Sequence, residues 1–253
     1  MVDPRLHILS FDSVTSTMDA ALSAIEEGKA RPFTLIKARS QTQGRGRQGR
    51  RWETPEGAAT VTLALQLNAP QKNMWQLSFV AAVGVHKALS TFLAEPLQLK
   101  WPNDFLIEER KLGGILVEMH HQKTAAGETV LWAVIGVGIN VGSIPDAFLA
   151  QAASLSKYWH EPVSLDHLVD TVSQEILESY DMWCEKGFEP LRVYWMNHSL
   201  PEDRLMTFHQ PNGLRVRGYS RGIDDKGYFL METLQGECLR FHGGDVILGE
   251  GLE

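Results

Sequence analysis

Apolar residues recur with two different periods along most of the chain. Within residues 60–67, every second residue from Val61 onward is a large apolar one, which is the period of a β-strand. Within residues 74–93, apolar residues return every three or four positions, which predicts an amphipathic helix that ends before Pro96. The same two patterns predict strands at residues 6–10, 33–36, 97–100, 105–107, 112–119 and 130–137, and helices at residues 17–27 and 165–185.

Capping residues support both of these further helices. Ser16 or Thr17 stands at the start of the first one, Asp19 lies in its first turn, and Gly28 follows its end. Ser164 precedes the second helix in the same way. Each helix is therefore expected to begin at a side chain that accepts hydrogen bonds from backbone N–H groups.

The pattern changes after about residue 202, where short apolar stretches alternate with turn signals. These signals lie at residues 211–213, 224–227, 235–236 and 243–244. Such close spacing of turns predicts a small β-barrel. The predicted fold class is therefore α+β, with a mixed domain at residues 1–202 and a small all-β domain at residues 203–253.

Composition places the chain among ordinary globular proteins. It has 253 residues, of which 43% are hydrophobic and 22% charged. Cys184 and Cys238 form no metal-binding or redox spacing, and two isolated thiols fit a reducing compartment. The sequence has no signal segment and no apolar run long enough to span a membrane. We therefore expect a cytoplasmic protein with no metal site of its own and no membrane partner.

A short basic segment stands out in this acidic chain, whose formal net charge is −7. Residues 37–52 contain six basic residues and no acid, and residues 44–50 read Gly-Arg-Gly-Arg-Gln-Gly-Arg. Glycines let the backbone approach a ligand, and arginines donate paired hydrogen bonds to planar anions. Gln41 and Thr42 add neutral hydrogen-bonding groups just before the segment. The segment therefore predicts a loop that closes over a nucleotide or an acyl phosphate.

The loop also matches Gly-x-Gly-x-x-Gly, a fingerprint of dinucleotide-binding folds. However, the segment after Trp52 is a poor helix start, and no acid lies between Glu56 and Glu95 to bind a ribose. Considered alone, the segment is also compatible with a disordered basic surface loop. Nucleic-acid binding is disfavoured by a sequence pI of about 5.7 and by the lack of an extended basic face.

Three further segments carry candidate chemistry. Residues 100–104 read Lys-Trp-Pro-Asn-Asp, where the proline favours an extended preceding residue and so directs the Asn103 amide and the Asp104 carboxylate. An ordinary polar turn is the alternative for this segment. Residues 110–118 place Lys111 at the start of an apolar strand beside two glycines. This arrangement suits an ammonium held near a partly desolvated ligand, although a solvated turn lysine is equally compatible.

The third segment ends a predicted strand. Residues 136–140 read Gly-Val-Gly-Ile-Asn, in which small residues admit a ligand and Asn140 offers both a donor and an acceptor. Alone, this pattern is weakly specific.

Together, these segments resemble the biotin protein ligases in order and in spacing. The resemblance rests on Ser16-Thr17 and on residues 41–52, 100–104, 110–118 and 136–140, and it extends to residues 220–224 and 243–244. It implies a mixed β-sheet packed on helices, like that of class II synthetases, followed by an SH3-like β-barrel. It also implies a two-step reaction. Biotin and MgATP give biotinyl-5′-AMP and pyrophosphate, and a lysine of a biotin carboxyl carrier protein then receives the biotinyl group.

The resemblance implies roles for individual residues. Attack of a carboxylate on an α-phosphate needs charge neutralisation rather than an enzyme nucleophile, and Arg45, Arg47 and Lys111 are expected to supply it. Asp104 is expected beside the lysine and the incoming amine. The residues expected to bind biotin are Ser16, Thr17, Gln41, Arg45, Gly46, Arg47, Lys111 and Gly113. Those expected at the nucleotide are Trp52, Asn103, Lys111 and Asn140.

Some features depart from the family pattern. Met18 stands where many members have Asn, and Gln43 replaces a small residue before Gly44. Some relatives begin with a DNA-binding domain, but the catalytic pattern here starts near the first residues, so we expect the type without that domain. Family relatives often pair through the catalytic sheet, so the resemblance is compatible with a homodimer.

Two rival functions share parts of this pattern. A lipoate or octanoate protein ligase or transferase would have the same fold, but the arginine-rich loop followed by Trp52 disfavours it. A catalytically inactive biotin-binding regulatory module is the non-enzyme alternative, and the presence of Arg45, Arg47 and Lys111 disfavours it.

Overall fold

A seven-stranded mixed sheet forms the centre of the computed structural model, which describes residues 3–53, 57–67, 73–124 and 126–248. Its strands are β1 (His7–Val14), β2 (Phe33–Gln41), β3 (Ala59–Leu67), β4 (Gln98–Lys100), β5 (Asp104–Ile107), β6 (Arg110–Lys123) and β7 (Thr129–Ile139). Their order across the sheet is β1-β2-β3-β7-β6-β5-β4. Strands β1 and β2 are parallel, and the other neighbouring pairs are antiparallel.

Helices cover both faces of this sheet. They are α1 (Thr17–Glu26), α2 (Leu77–Ser90), α3 (Leu165–Lys186) and α4 (Glu189–Asn197). Helix α1 connects the parallel strands and packs on one face, while α2, α3 and α4 contribute to the larger core on the other face. The predicted caps are confirmed: Ser16 accepts from the N–H groups of Met18 and Asp19, and Ser164 accepts from the N–H of His167.

Strand β3 shows how the alternating sequence divides between the two faces. Its residues Val61, Leu63 and Leu65 are buried in the larger core, as the period-2 pattern predicts. Ala64 packs in the smaller cluster with α1, and Thr62 bonds to the first residue of that helix. The face that bears α1 is therefore lined by small and polar residues of β3.

A second, antiparallel sheet follows the helices. It contains β8 (Leu205–His209), β9 (Arg215–Ile223), β10 (Phe229–Thr233), β11 (Cys238–Phe241) and β12 (Asp245–Leu248), in the order β11-β10-β9-β8-β12. The Trp101 ring lies 5.6 Å from the Phe208 ring and 5.5 Å from the Phe229 ring, and its Nε1 donates to Gly227 O at 3.2 Å. The predicted α+β class with an all-β C-terminal part is confirmed, and this tryptophan joins the two sheets.

The structure differs from the sequence prediction at several element ends. Helix α4 was not predicted, because Gly187 and Pro190, which follow the predicted helix at residues 165–185, are of types that commonly end a helix. Gly187 does follow α3 with φ 75°, but Pro190 lies in the first turn of α4, where a missing N–H costs no helical bond. Residues 54–56, part of the segment predicted to be non-helical, lie outside the described residues, and β3 follows soon afterwards. None of the described helices is long and apolar enough to cross a membrane.

Candidate functional site

A cavity of about 400 Å³ opens on the α1 face of the central sheet, between the arginine loop and the C-terminal sheet. Most of the predicted site residues line it. They are Ser16, Thr17, Gln41, Arg45, Gly46, Arg47, Trp52, Asn103, Asp104 and Lys111. A volume of this size is typical of a site for a small molecule.

Three neighbouring strands form the floor of the cavity. Its residues include Thr60 on β3, Gly136 and Gly138 on β7, and Gly114 and Leu116 on β6. A Cβ atom at Gly136 would lie 2.7 Å from Met18 Sδ, and one at Gly138 would lie 2.6 Å from the Trp52 ring. Both glycines are therefore required for these two side chains to lie against the sheet.

One end of the floor carries a chain of neutral hydrogen bonds. Gln41 Oε1 accepts from the Thr17 backbone N–H at 2.7 Å and from the Thr17 hydroxyl at 3.1 Å. Thr62 Oγ1 in turn donates to the Thr17 hydroxyl oxygen at 2.9 Å. Because the Ser16 hydroxyl caps α1, its oxygen is committed to the helix N–H groups. This end suits a neutral ligand with both donor and acceptor atoms.

The arginine loop folds back on itself over the cavity. Gly46 N–H donates to Arg50 O at 2.7 Å, and Trp52 N–H donates to Gly44 O at 2.9 Å. Gln48 turns the chain with φ 56° and ψ 34°, a left-handed conformation that is uncommon outside glycine. A Cβ at Gly46 would lie 3.2 Å from the Arg50 carbonyl oxygen, so the tight turn favours glycine there.

The two arginines of this loop that were predicted to bind ligand reach different carboxylates. Arg45 pairs with Asp19 and Glu118, and hydrogen bonding to Glu118 is the main cause that raises its pKa. Arg47 donates to Asn103 Oδ1 at 3.0 Å and pairs with Asp245 Oδ1 at 3.1 Å.

Burial has the opposite effect on Arg47. It lowers the pKa of this guanidinium from its ordinary value, and the negative charge of Asp245 opposes that shift. The loop therefore places a partly desolvated, paired cation at the cavity wall.

A compact group of charges occupies the other end of the floor. Lys111 Nζ lies 2.6 Å from Asp104 Oδ1, and Lys100 Nζ lies 3.4 Å from Asp104 Oδ2. Burial would raise the pKa of Asp104, but the two lysines outweigh it and hold this pKa below its ordinary value. Lys111 Nζ also lies 5.6 Å from the centre of the Trp52 ring. One carboxylate thus orients two ammonium groups beside an aromatic wall.

Two predicted site residues do not line the cavity. A Cβ at Gly113 would meet the Phe105 ring at 2.1 Å on the opposite face of β6, whereas a Cβ at Gly114 would lie 3.2 Å from Asp104 Oδ1. The glycine beside the charged group is therefore Gly114. Asn140 is buried, and its Nδ2 donates to the Lys111 carbonyl oxygen at 3.2 Å. In this arrangement the amide ties the end of β7 to the strand that carries the lysine.

Several residues of the cavity were missed by sequence reasoning. Lys100, Thr60 and the C-terminal residues His209, Asp245 and Ile247 line it as well. Asp245 directly follows the turn at residues 243–244, but its pairing could not be predicted, because its partners Arg47 and Arg50 lie 198 and 195 residues away in the chain. Lys100 belongs to the Lys-Trp-Pro-Asn-Asp segment. Its position four residues before Asp104 was the sequence signal that could have indicated an ion pair with that carboxylate.

Comparison with known proteins gives the class to which this fold and site belong. Residues 10–140 match the biotin/lipoate A/B protein ligase family. A bifunctional ligase/repressor BirA of Bacillus subtilis is 31% identical over 248 residues, covering 96% of this chain and 74% of the relative. A biotin–[acetyl-CoA-carboxylase] ligase of Paracoccus denitrificans is 32% identical over 215 residues, covering 78% of this chain and 82% of the relative.

Solved structures agree with this class. The biotin protein ligase of Aquifex aeolicus in complex with biotin and ATP superposes with a TM-score of 0.79 at 25% identity, covering 97% of this chain and 99% of that chain. The chain belongs to the biotin/lipoate A/B protein ligase family.

Proposed function

We propose that this chain is an ATP-dependent biotin–protein ligase, which joins biotin to a lysine of a biotin carboxyl carrier protein. The observation that carries the proposal is the assembly of Arg45, Arg47 and Lys111 around a cavity whose other end holds the Thr17–Gln41 hydrogen bonds. A bicyclic urea fits the neutral end, and a carboxylate fits the cationic end. The ligase relatives and the biotin and ATP complex of the Aquifex enzyme support the same assignment.

The first step joins two anions. The carboxylate oxygen of biotin attacks the α-phosphorus of ATP, a phosphorus–oxygen bond forms, and pyrophosphate leaves with the electrons of the broken bond. No protein nucleophile is needed, but the charge that develops must be neutralised. Lys111 is fixed by Asp104 at 2.6 Å, and Arg47 is fixed by Asn103 and Asp245, so both cations are oriented before the substrates meet.

The second step transfers the acyl group to a carrier lysine. The neutral amine nitrogen attacks the acyl carbon and forms the amide, and the bond from that carbon to the phosphate oxygen breaks. AMP leaves with the electrons of the broken bond, and the nitrogen releases one proton to solvent. Because the lowered pKa keeps Asp104 ionised at neutral pH, we propose that it orients Lys111 and accepts a hydrogen bond from the incoming amine. Trp52 is proposed to form an aromatic wall beside the nucleotide, next to Lys111.

Magnesium is proposed to arrive on the triphosphate. The carboxylates nearest the cationic end, Asp104 and Asp245, already pair with lysine or arginine. Within the described ranges, no group of three or more His, Cys, Asp or Glu side chains is arranged to hold a metal ion. In our proposal the triphosphate itself carries the ion, and Asp104 and Asp245 hold the cationic side chains.

The experiment that tests the function is exchange of labelled pyrophosphate into ATP by the purified chain. Exchange should require biotin, and lipoate and octanoate should not replace it. Transfer should then be checked by mass spectrometry of a biotin carboxyl carrier domain incubated with the chain, biotin and MgATP. Equal exchange with lipoate would instead assign the chain to the lipoate branch of the family.

Two finer statements are part of the proposal. We propose a homodimer formed through the central sheet, because β1 is an edge strand that exposes Ile8 and Phe11 and edge strands pair readily with other chains. Sedimentation with and without biotin and ATP tests it. We also propose a cytoplasmic location, which agrees with Cys184 and Cys238 being free thiols.

A further inference from the structure

Three buried polar atoms on the cavity wall have no hydrogen-bond partner within residues 3–53, 57–67, 73–124 and 126–248. One is Nε2 of His209, on the C-terminal sheet. The other two lie against the central sheet and are the hydroxyl oxygen of Thr60 and the indole nitrogen of Trp52. Both residues line the cavity, and Thr60 is only 3% exposed. Burying a hydroxyl or an N–H without a partner is costly, so two such atoms in one cavity indicate a ligand group that satisfies them.

The two atoms converge on one point of the floor. Thr60 lies directly opposite Gly138 in the β3–β7 ladder. A Cβ at Gly138 would lie 2.8 Å from Trp52 Nε1, so the indole nitrogen stands over that glycine. The Cβ atoms of directly opposed residues lie roughly 5 Å apart, which brings the threonine side chain to the same place. The Trp52 ring fills the space above Gly138, so a ligand oxygen that bonds to both donors would lie at the edge of that ring, on the side of Thr60.

The position of Gly138 shows which part of a ligand would lie there. On its other side it pairs with Gly114, whose Cβ would lie 3.4 Å from Lys111 Nζ. Thr62, two residues along β3, belongs instead to the neutral end through its bond to Thr17. Thr60 is therefore two residues along the strand, about 7 Å, from the neutral end. It shares a cross-strand row with Gly138 and Gly114, and the Lys111 ammonium lies beside Gly114.

We propose that Thr60 Oγ1–H and Trp52 Nε1–H form a subsite for an anionic oxygen of the acyl phosphate, across Gly138 from Lys111. The inference rests on the proposed function. An acyl phosphate has more acceptor oxygens than one ammonium can hold, and the two neutral donors take an oxygen that Lys111 does not. The oxygen belongs either to the biotin carboxylate or to the phosphate of AMP.

The test uses Thr60→Val, which replaces the hydroxyl by a methyl group of similar size. Because the hydroxyl has no protein partner, this change should leave the thermal unfolding midpoint of the free protein unchanged or higher. Ligand affinity should fall by roughly 10- to 100-fold, the range for a hydrogen bond to a charged group. Thr60→Ser, which keeps the hydroxyl, should retain most of the affinity. A lower unfolding midpoint for Thr60→Val would overturn the inference, because the hydroxyl would then bond within the protein.

Three probes separate the two sources of the oxygen in calorimetric titrations. If the oxygen is the carboxylate, Thr60→Val weakens biotin but not biotinol, which lacks the carboxylate. If it is the phosphate, the variant binds biotin normally and binds biotinol-5′-adenylate more weakly. Unchanged affinity for all three probes would overturn the inference.

A matched control comes from another unpartnered buried hydroxyl. Ser179 on α3 is fully buried, does not line the cavity, and has no partner among the residues described. Ser179→Ala should leave the affinity for all three probes unchanged. A loss of affinity equal to that of Thr60→Val would overturn the inference, because it would show a general effect of packing.

Binding of biotin by the wild-type chain is measured first. If the wild-type chain does not bind biotin, the proposed function fails, whereas normal wild-type binding with an unaffected Thr60→Val variant sinks only the inference.

Discussion

Arg47 of the loop and Asp245 of the C-terminal sheet form an ion pair, with 3.1 Å between Nη1 and Oδ1. The second oxygen of the same carboxylate accepts a hydrogen bond from Arg50 Nη2 at 2.8 Å. A residue near the end of the chain therefore supports two arginines of a loop near its beginning. Since Arg47 is partly desolvated, it depends on this counter-charge more than an exposed arginine would.

We expect Asp245→Asn to weaken binding of ATP in the presence of biotin. Loss of the carboxylate charge leaves Arg47 less firmly oriented over the cavity. The pair is partly exposed, so the effect should be about fivefold in KM for ATP, corresponding to ~1 kcal/mol. Pyrophosphate exchange at varied ATP measures it. Tighter binding in the variant would contradict this, because Asp245 would then compete with the ligand for Arg47.

Lys111→Ala should slow adenylate formation by roughly 10²–10³-fold, the usual scale for one electrostatic donor. Biotin binding without ATP should change less, because the full charge develops only as the carboxylate meets the phosphate. Single-turnover measurement of pyrophosphate release tests this. Lys157→Ala, at an exposed position outside the cavity, serves as the control. A wild-type rate for Lys111→Ala would mean that the lysine only completes a turn.

His86 should make the fold sensitive to acid. It is 3% exposed, bonds to the Tyr194 hydroxyl through Nδ1 and to Leu97 O through Nε2, and lies beside the His198 ring. Burial lowers its pKa from 6.5 to about 4. Below about pH 6.5 the unfolded chain binds the proton more readily than the folded one, so stability is complete above that pH and falls as the pH approaches 4.

The expected loss from this residue is about 3 kcal/mol across that pH range. Urea unfolding of the wild-type chain and of His86→Gln at pH 7, 5.5 and 4.5 gives the free energy of unfolding at each pH. The slope of this free energy against pH is then compared between the two proteins. The variant should lose less stability than the wild type as the pH falls. His160→Gln, at an exposed position, is the control and should keep the wild-type slope. Identical slopes for wild type and His86→Gln would show that His86 is not the sensitive group.

Limited trypsinolysis should report on the arginine loop. The side chains of Arg50 and Arg51 are 58% and 65% exposed, whereas those of Arg45 and Arg47 are 33% and 24% exposed. The first cut in the loop should therefore follow Arg50 or Arg51. Biotin should slow this cut, and biotin with ATP should nearly abolish it, because anionic partners order the arginines.

The cut after Lys29, a solvent-exposed position beyond α1, should proceed at the same rate with and without ligands. Loop cleavage that ligands do not slow would mean that the loop does not close over the site.

Local signals explain why much of the fold could be predicted. The caps at Ser16 and Ser164 and the alternation in β3 depend on neighbours within a few residues, and the structure confirms them. The start of α4 was missed because proline occurs both just after the end of one helix and in the first turn of another. The basic loop and the Lys-Trp-Pro-Asn-Asp segment could be found for the same reason, since each is contiguous in sequence.

Parts of the site could not be predicted because they depend on register and on distant contacts. Which of Gly113 and Gly114 faces the cavity follows from a register shift between Phe105 and Leu106 in the β5–β6 ladder, and a shift of one residue exchanges the two faces of a strand. Asp245 and Thr60 enter the site through contacts between separate elements, which no spacing along the chain reveals.

Trp101 links stability of one part of the molecule to activity of another. Its ring packs against Phe208 and Phe229, and the residues that follow it, Asn103 and Asp104, hold Arg47 and Lys111. A selection for inactive variants should therefore recover apolar core positions of the last fifty residues alongside the charged ones. Such variants would be temperature-sensitive, inactive when warm and active when cool, whereas variants at Lys111 would be impaired at every temperature.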